Sequence, residues 1–192
     1  MPYTNKNFSG DELQGENFDQ ESFKNCRFLE TNLGFTSFQN CSFTSCDFSG
    51  AIFNISSFFD CKFMECKLSN LDFSEVAIKK CLFENSKITN SIFQTFKPAD
   101  QNKRNKTDLK DCSFQNCDLS NSVFIKCLLN KVSMLNSILD DSIFEKCNLE
   151  GTDLTGVSIE KTRFDECIIR NTKLELSGFI QIGMSKGFVL IR

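Results

Sequence analysis

Eleven cysteines and 25 carboxylates are the side chains in this 192-residue sequence with the most obvious chemical potential. The cysteines are Cys26, Cys41, Cys46, Cys61, Cys66, Cys81, Cys112, Cys117, Cys127, Cys147 and Cys167. A thiol can attack, bind metal or pair with another thiol, and each role needs particular company. Nucleophilic attack needs a base, most often histidine, and the sequence has no histidine. That removes every Ser-His and Cys-His arrangement. Metal sites place cysteines at short spacings such as C-x₂-C, usually with histidine, and this pattern is missing too. Gly178 and Gly183 are spaced as in a phosphate loop, but Met184-Ser185-Lys186 follows in place of Lys-Ser/Thr. The carboxylates are spread over turn-like positions. The residues therefore predict a protein that is not an enzyme and holds no metal or cofactor, with its cysteines serving as small core residues.

The spacing of the cysteines exposes the elements that must carry them. Within each half of the chain they differ by multiples of five, and they stand two places before a large apolar residue. One series runs Phe8, Leu13, Phe18, Phe23, Phe28, Leu33, Phe38, Phe43, Phe48, Phe53, Phe58, Phe63, Leu68, Phe73, Ile78, Phe83, Ile88, Phe93 without a miss. A second runs Leu109, Phe114, Leu119, Phe124, Leu129, Met134, Leu139, Phe144, Leu149, Leu154, Ile159, Phe164, Ile169, Leu174, Phe179. Of the 22 phenylalanines, only Phe35, Phe59, Phe96 and Phe188 fall outside.

A period of five suits neither a helix nor a long strand. Five residues overshoot a helical turn by about 140°, so the apolar residues would spiral around it. An odd step on a strand sends successive side chains to opposite faces. All can face inward only if the chain turns once per repeat and coils about an axis. Ser, Thr, Cys, Val and Ala fill most positions two before the large residue, as a second inward site beside a bulky one requires.

Units such as Cys46-Asp47-Phe48-Ser49-Gly50, Cys117-Asp118-Leu119-Ser120-Asn121 and Thr152-Asp153-Leu154-Thr155-Gly156 resemble the motif of the pentapeptide-repeat family. The resemblance implies an all-β fold, a right-handed quadrilateral β-helix of about eight coils with four repeats per coil. At about 4.8 Å per coil the rod is about 40 Å long. Residues twenty apart then stack, giving ladders such as Phe23, Phe43, Phe63, Phe83 and Phe124, Phe144, Phe164. Stacked cysteines would lie about 4.8 Å apart with parallel side chains, too far for disulfides.

The breaks divide the chain. The first repeats carry Lys6, Asp11, Glu16 and Glu21 at the second inward positions, and residues 1–20 read as an irregular first coil or cap whose charges reach solvent. Coils follow over 21–94 and 109–179. Between them, 95–108 reads as a projecting loop with Pro98, Lys97, Lys103, Arg104 and Lys106, either a tolerated insertion or a recognition element. Residues 180–192 form a C-terminal cap or dimerisation segment. Apolar residues at helical spacing predict a short helix, and 188–191 an apolar strand. Phe179, Ile180, Met184, Phe188, Val189, Leu190 and Ile191 are the candidate dimer contacts, since an open solenoid end needs a cover. The layout is similar to the C-terminal module of the quinolone-resistance subgroup of the family, which dimerises there.

A net charge of −3 disfavours direct binding of nucleic acid. Neither a leader nor a membrane-length apolar run is evident, so the expected compartment is the cytoplasm. Asp118, Asp140, Asp141 and Glu160 are expected to share a face, either for solubility or as carboxylates standing in for phosphates; Lys161 interrupts them. The resemblance to the quinolone-resistance subgroup, through Phe8-Ser9-Gly10-x-x-Leu13-x-Gly15, the loop and the tail, implies a DNA mimic. Such a protein binds DNA gyrase or topoisomerase IV and protects against quinolones or peptide toxins. The other reading is a structural scaffold docking an unrelated protein, with Phe35, Ile52, Ile55 and Ile92 as an apolar strip.

Overall fold

The structure is a computed structural model and describes residues 2–94 and 107–191. The chain winds into a four-sided parallel β-solenoid of about eight coils, closed at its C-terminal end by one helix, Leu176–Ser185. The sides are named here by their second-coil core residues Phe23, Phe28, Leu33 and Phe38. On the Phe23 side, three-residue strands pair in parallel with Phe23 opposite Phe43, Phe43 opposite Phe63 and Phe63 opposite Phe83. The Phe38 side is built the same way from Asn17–Asp19, Ser37–Gln39, Ser57–Phe59 and Ala77–Lys79. The Phe28 side is held by single bridges, from Asn7 with Arg27 up to Ile138 with Ser158.

Each coil turns at its corners, and the residue two places after most core residues takes a left-handed conformation, Glu75 and Asp111 being exceptions. Asn25, Asn40, Asn70, Asn116 and Asn136 have φ between 51° and 59°. Asparagine tolerates this region best after glycine, which explains its regular recurrence. Glycine is favoured at Gly156: its φ is +70°, and a Cβ would lie 2.2 Å from Asn136 Oδ1 on the coil below, so that side chain would have to turn away.

The core is a set of ring ladders. Phe28 and Phe48 stack at 4.3 Å with parallel planes, and Phe93 and Phe124 at 4.7 Å. Aromatic quadrupoles disfavour a direct sandwich, but strand spacing of about 4.8 Å imposes it on side chains in register. Edge-on contacts across the corners, such as Phe38 with Phe43 at 5.3 Å and 76°, add the favoured geometry.

The small inward residues do more than save space. Ser56 Oγ donates to the carbonyl of Leu33 at 2.6 Å, Thr162 Oγ1 to Leu139 at 2.7 Å, and Cys61 Sγ to Phe38 at 3.4 Å. Each donor reaches a core-residue carbonyl 23 positions earlier, on the coil below. The position therefore favours residues that are small and can donate, which is why Ser, Thr and Cys dominate it.

The first coil joins the Phe23 ladder at Tyr3–Thr4, which pairs with Phe23–Lys24, with Tyr3 stacked on Phe23 at 4.7 Å, while residues 10–15 form a run of turns. Lys6, Asp11 and Glu16 are exposed because no coil lies beneath them. The offset between stacked residues rises from twenty to thirty-one where Phe83 meets Phe114, so eleven extra residues are inserted and the ladders continue across them. Thr107–Asp108, assigned to the loop, is already strand and pairs with Cys127–Leu128. The helix over Leu176–Ser185 takes in Leu176, Phe179, Ile180 and Met184 at the expected spacing, and Phe179 is exposed on it. Residues 188–191 form no strand, because a strand needs a hydrogen-bonded neighbour and none borders them in the single chain.

Candidate functional site

The interior of the solenoid is where the cysteines lie. Ten of the eleven cysteines form three ladders, Cys26, Cys46, Cys66; Cys41, Cys61, Cys81, Cys112; and Cys127, Cys147, Cys167, while Cys117 lies above Ser86 on the first of them. All are free thiols, and all but Cys167 are buried. Burial pushes the Cys117 thiol up to about 12 and the Cys112 thiol up to about 11. A thiol so raised stays protonated at neutral pH and is a poor nucleophile and ligand. A depression on the Phe38 side, lined by Asp108, Lys110, Lys131 and Ile168, is shallow and open, and Lys110 pairs with Asp108 at 3.7 Å. No group of histidine, cysteine or carboxylate side chains among the described residues could hold a metal ion. No helix among them is long and apolar enough to cross a membrane.

On the surface, Asp118, Asp140, Asp141 and Glu160 lie on the Phe28 side or its adjoining corner. Asp118 stands before Leu119, bridged to Lys87 below and Ile138 above. Its Oδ1 accepts from Ser120 N at 3.1 Å and Ser120 Oγ at 2.6 Å. Asp140 Oδ1 accepts from Ser158 Oγ at 2.7 Å and Glu160 N at 2.8 Å, which fixes the carboxylate against the next coil. Asp141 occupies the adjoining corner with φ 57°, its N–H donating to Glu160 O at 2.8 Å. Lys161 lies 3.7 Å from Glu160, so with Lys87 a cation stands at each end of the group. The arrangement is a run of carboxylates over three successive coils with basic ends. Lys97, Lys103, Arg104 and Lys106 lie outside the described residues.

The second surface is the C-terminal end. Gly178 lies against Leu174: a Cβ there would fall 2.6 Å from Leu174 Cδ1, so the helix can lie on the last coil only without a side chain at 178. Gln181 Oε1 accepts from Ile159 N at 3.3 Å, and Ile182 packs onto the core. The cover is partial. Phe179, Met184, Phe188, Val189, Leu190 and Ile191 are exposed, Val189 by 84% and Ile191 by 89%. Phe179, Ile180, Gly183, Met184, Phe188, Val189 and Leu190 line one apolar groove. The five-residue rule assigned Ile169 to the core, but it is 57% exposed.

The repeat geometry places the chain in a family. It matches the family described as "Pentapeptide repeat region" over residues 36–99 and 107–181, and "Pentapeptide repeats (8 copies)" over 13–54. This protein therefore belongs to the pentapeptide-repeat family. No curated protein matches it in sequence. Among solved structures it is similar to QnrB1, described as a plasmid-mediated fluoroquinolone resistance protein. A trypsin-treated form is 17% identical over 98% of this chain and 97% of that one, with a TM-score of 0.47. Full-length QnrB1 is 16% identical over 97% of each, with a TM-score of 0.39. HetL, a pentapeptide repeat protein involved in heterocyst differentiation regulation from the cyanobacterium Nostoc, is 11% identical over 91% of this chain and 85% of that one, with a TM-score of 0.29. At these identities the likenesses concern the fold alone.

Proposed function

We propose that this protein is a non-enzymatic binding rod that works as a homodimer joined at its C-terminal ends. The observation that carries the dimer is the apolar surface left uncovered there, from Phe179 and Met184 on the helix to Phe188, Val189, Leu190 and Ile191 beyond it. A contiguous exposed apolar surface of this kind is the usual mark of an interface, and a two-fold contact lets one surface cover itself. The unpaired segment 188–191 gains a neighbour in such a contact. Sedimentation velocity tests it: the full chain runs at dimer mass, and Val189→Asp with Ile191→Asp runs as a folded monomer. A wild-type monomer across the micromolar range refutes the pairing.

The partner we propose is a type II topoisomerase, DNA gyrase or topoisomerase IV, met in the cytoplasm, where eleven free thiols stay reduced. Asp118, Asp140, Asp141 and Glu160 take the place of DNA phosphates on the enzyme's basic surface, and the outcome is protection from quinolones or peptide toxins. The support is the fixed carboxylate of Asp140 beside Asp141 and Glu160 on a straight rod. Supercoiling by purified gyrase, with and without ciprofloxacin, is the test. Inhibition or protection is expected in the micromolar range and weakens with Asp141→Lys plus Glu160→Lys; the left-handed corner accepts lysine, as at Lys131 and Lys146. No effect of the wild-type chain on the enzyme rules the partner out.

A further inference from the structure

We propose that the corner built by Phe35, Ile52 and Ile55 docks a short segment of a partner protein that is apolar at its centre and carries Lys or Arg on its flanks. The inference goes beyond the reading above: it uses a different surface and does not require a topoisomerase.

The corner breaks the rule the rest of the solenoid obeys. Left-handed positions elsewhere among the described residues hold Asn, Asp, Gln, Glu, Lys, Ser or Gly; Phe35, with φ 60°, and Ile55, with φ 56°, are the apolar exceptions. A β-branched isoleucine is a poor occupant of this region, so Ile55 holds backbone strain that the fold does not need. Neither side chain is used for packing. Phe35 is 55% exposed, Ile52 56% and Ile55 62%. They are contiguous: Phe35 N donates to Asn54 O at 2.7 Å, and Asn32 bridges to Ile52, which sets the two corners on adjacent coils.

The charge around the corner names the occupant. Residues 31–46 and 48–59 contain no charged side chain, in a sequence that is 24% charged. On the coil below lie Asp11, Glu12 and Glu16, all exposed; on the coil above, twenty residues after Ile52 and Ile55, lie Asp72 and Glu75. Lys79 and Lys80 are exposed on the next side of that coil, with Lys79 held 5.9 Å over the Phe59 ring. An uncharged apolar centre between carboxylates is complementary to a segment with apolar side chains between cations, and it repels an acidic one.

The test is selection of a random peptide-display library on the immobilised full chain, followed by anisotropy titration of the labelled consensus peptide. The expected consensus has two or three large apolar residues flanked by Lys or Arg. Its affinity falls at least tenfold with Phe35→Asn plus Ile55→Asn and several-fold with Glu75→Lys. Asparagine suits the left-handed corner, so the same double variant should melt above the wild type, a rise that a packing role for these residues would not give. Overturning results are a consensus without flanking cations, binding indifferent to the double variant, or a lower melting temperature for it. Binding that emerges only when residues 97–106 are deleted also overturns the proposal, because the chain's own basic segment would then be the occupant. No topoisomerase enters the assay, so its failure is separable from failure of the supercoiling test.

Discussion

Phe63→Ala tests whether the interior is close-packed by its rings. Phe63 is 2% exposed and lies between Phe43 at 4.8 Å and Phe83 at 4.7 Å, with Phe58 edge-on at 5.4 Å and Phe48 at 6.0 Å. Removing a buried phenylalanine ring costs about 3–5 kcal/mol through lost transfer energy and the cavity left behind. The solenoid is ill-placed to close that cavity, because the ladder hydrogen bonds on both sides fix the coil spacing. A value of about 4 kcal/mol is therefore expected, and at this chain length it lowers the melting temperature by about 8–16 °C. Phe63→Leu should cost about 1 kcal/mol, since leucine fills the same site at Leu33 and Leu68 and the volume change is modest. Leu82→Ala is the control: Leu82 is in the same coil as Phe63's stacking partner Phe83, faces outward and is 44% exposed, so its loss should stay within about 0.5 kcal/mol. Thermal and guanidinium unfolding followed by far-UV dichroism measures all three. If Phe63→Ala costs no more than Leu82→Ala, the stacked-ring account of the core is wrong.

Other expectations follow from the inner donors, the thiols and the corners. Cys61→Ser should cost less than about 1 kcal/mol, because serine makes the same bond to a core carbonyl at Ser56 and Ser137; a larger loss in urea unfolding would mean that the site selects sulfur for its volume alone. Burial raises Cys112 and Cys117 from 9.0 to about 11 and about 12 in the folded chain. The unfolded state therefore gives up these protons first, so their contribution is complete below pH 9 and drains away as pH climbs from 9 toward 12. Urea midpoints should fall across that window, less so in a Cys112→Ser, Cys117→Ser chain, and a flat profile would contradict the burial. Gly10→Ala and Gly156→Ala both force alanine into a left-handed corner, at about 1–2 kcal/mol. Only at 156 does the new methyl also meet Asn136 Oδ1, so Gly156→Ala should be the worse by about 1–3 kcal/mol in equilibrium unfolding; equal losses would show that the coil below yields freely.

Much of this molecule is legible in its sequence because each repeat is short and its demands are local. A large apolar residue every fifth place, with a small one two before it, admits only a chain that turns once per repeat, and Phe43, Cys61 and Phe124 are buried as that rule requires. The acidic group was equally readable, since a twenty-residue offset is enough to bring Asp140 beside Glu160. Three things came only with tertiary structure, each because it depends on what lies above or below a residue. The period could not show that eleven residues are inserted without loss of register, since that is settled by Phe83 stacking on Phe114 and Phe93 on Phe124. The inner Ser, Thr and Cys side chains read as merely small, because their carbonyl partners are 23 positions away. The ends departed furthest from the periodic rule: Ile169 and Phe179 obey the spacing yet face solvent, because burial in a solenoid requires a further coil and the chain supplies a short helix there instead.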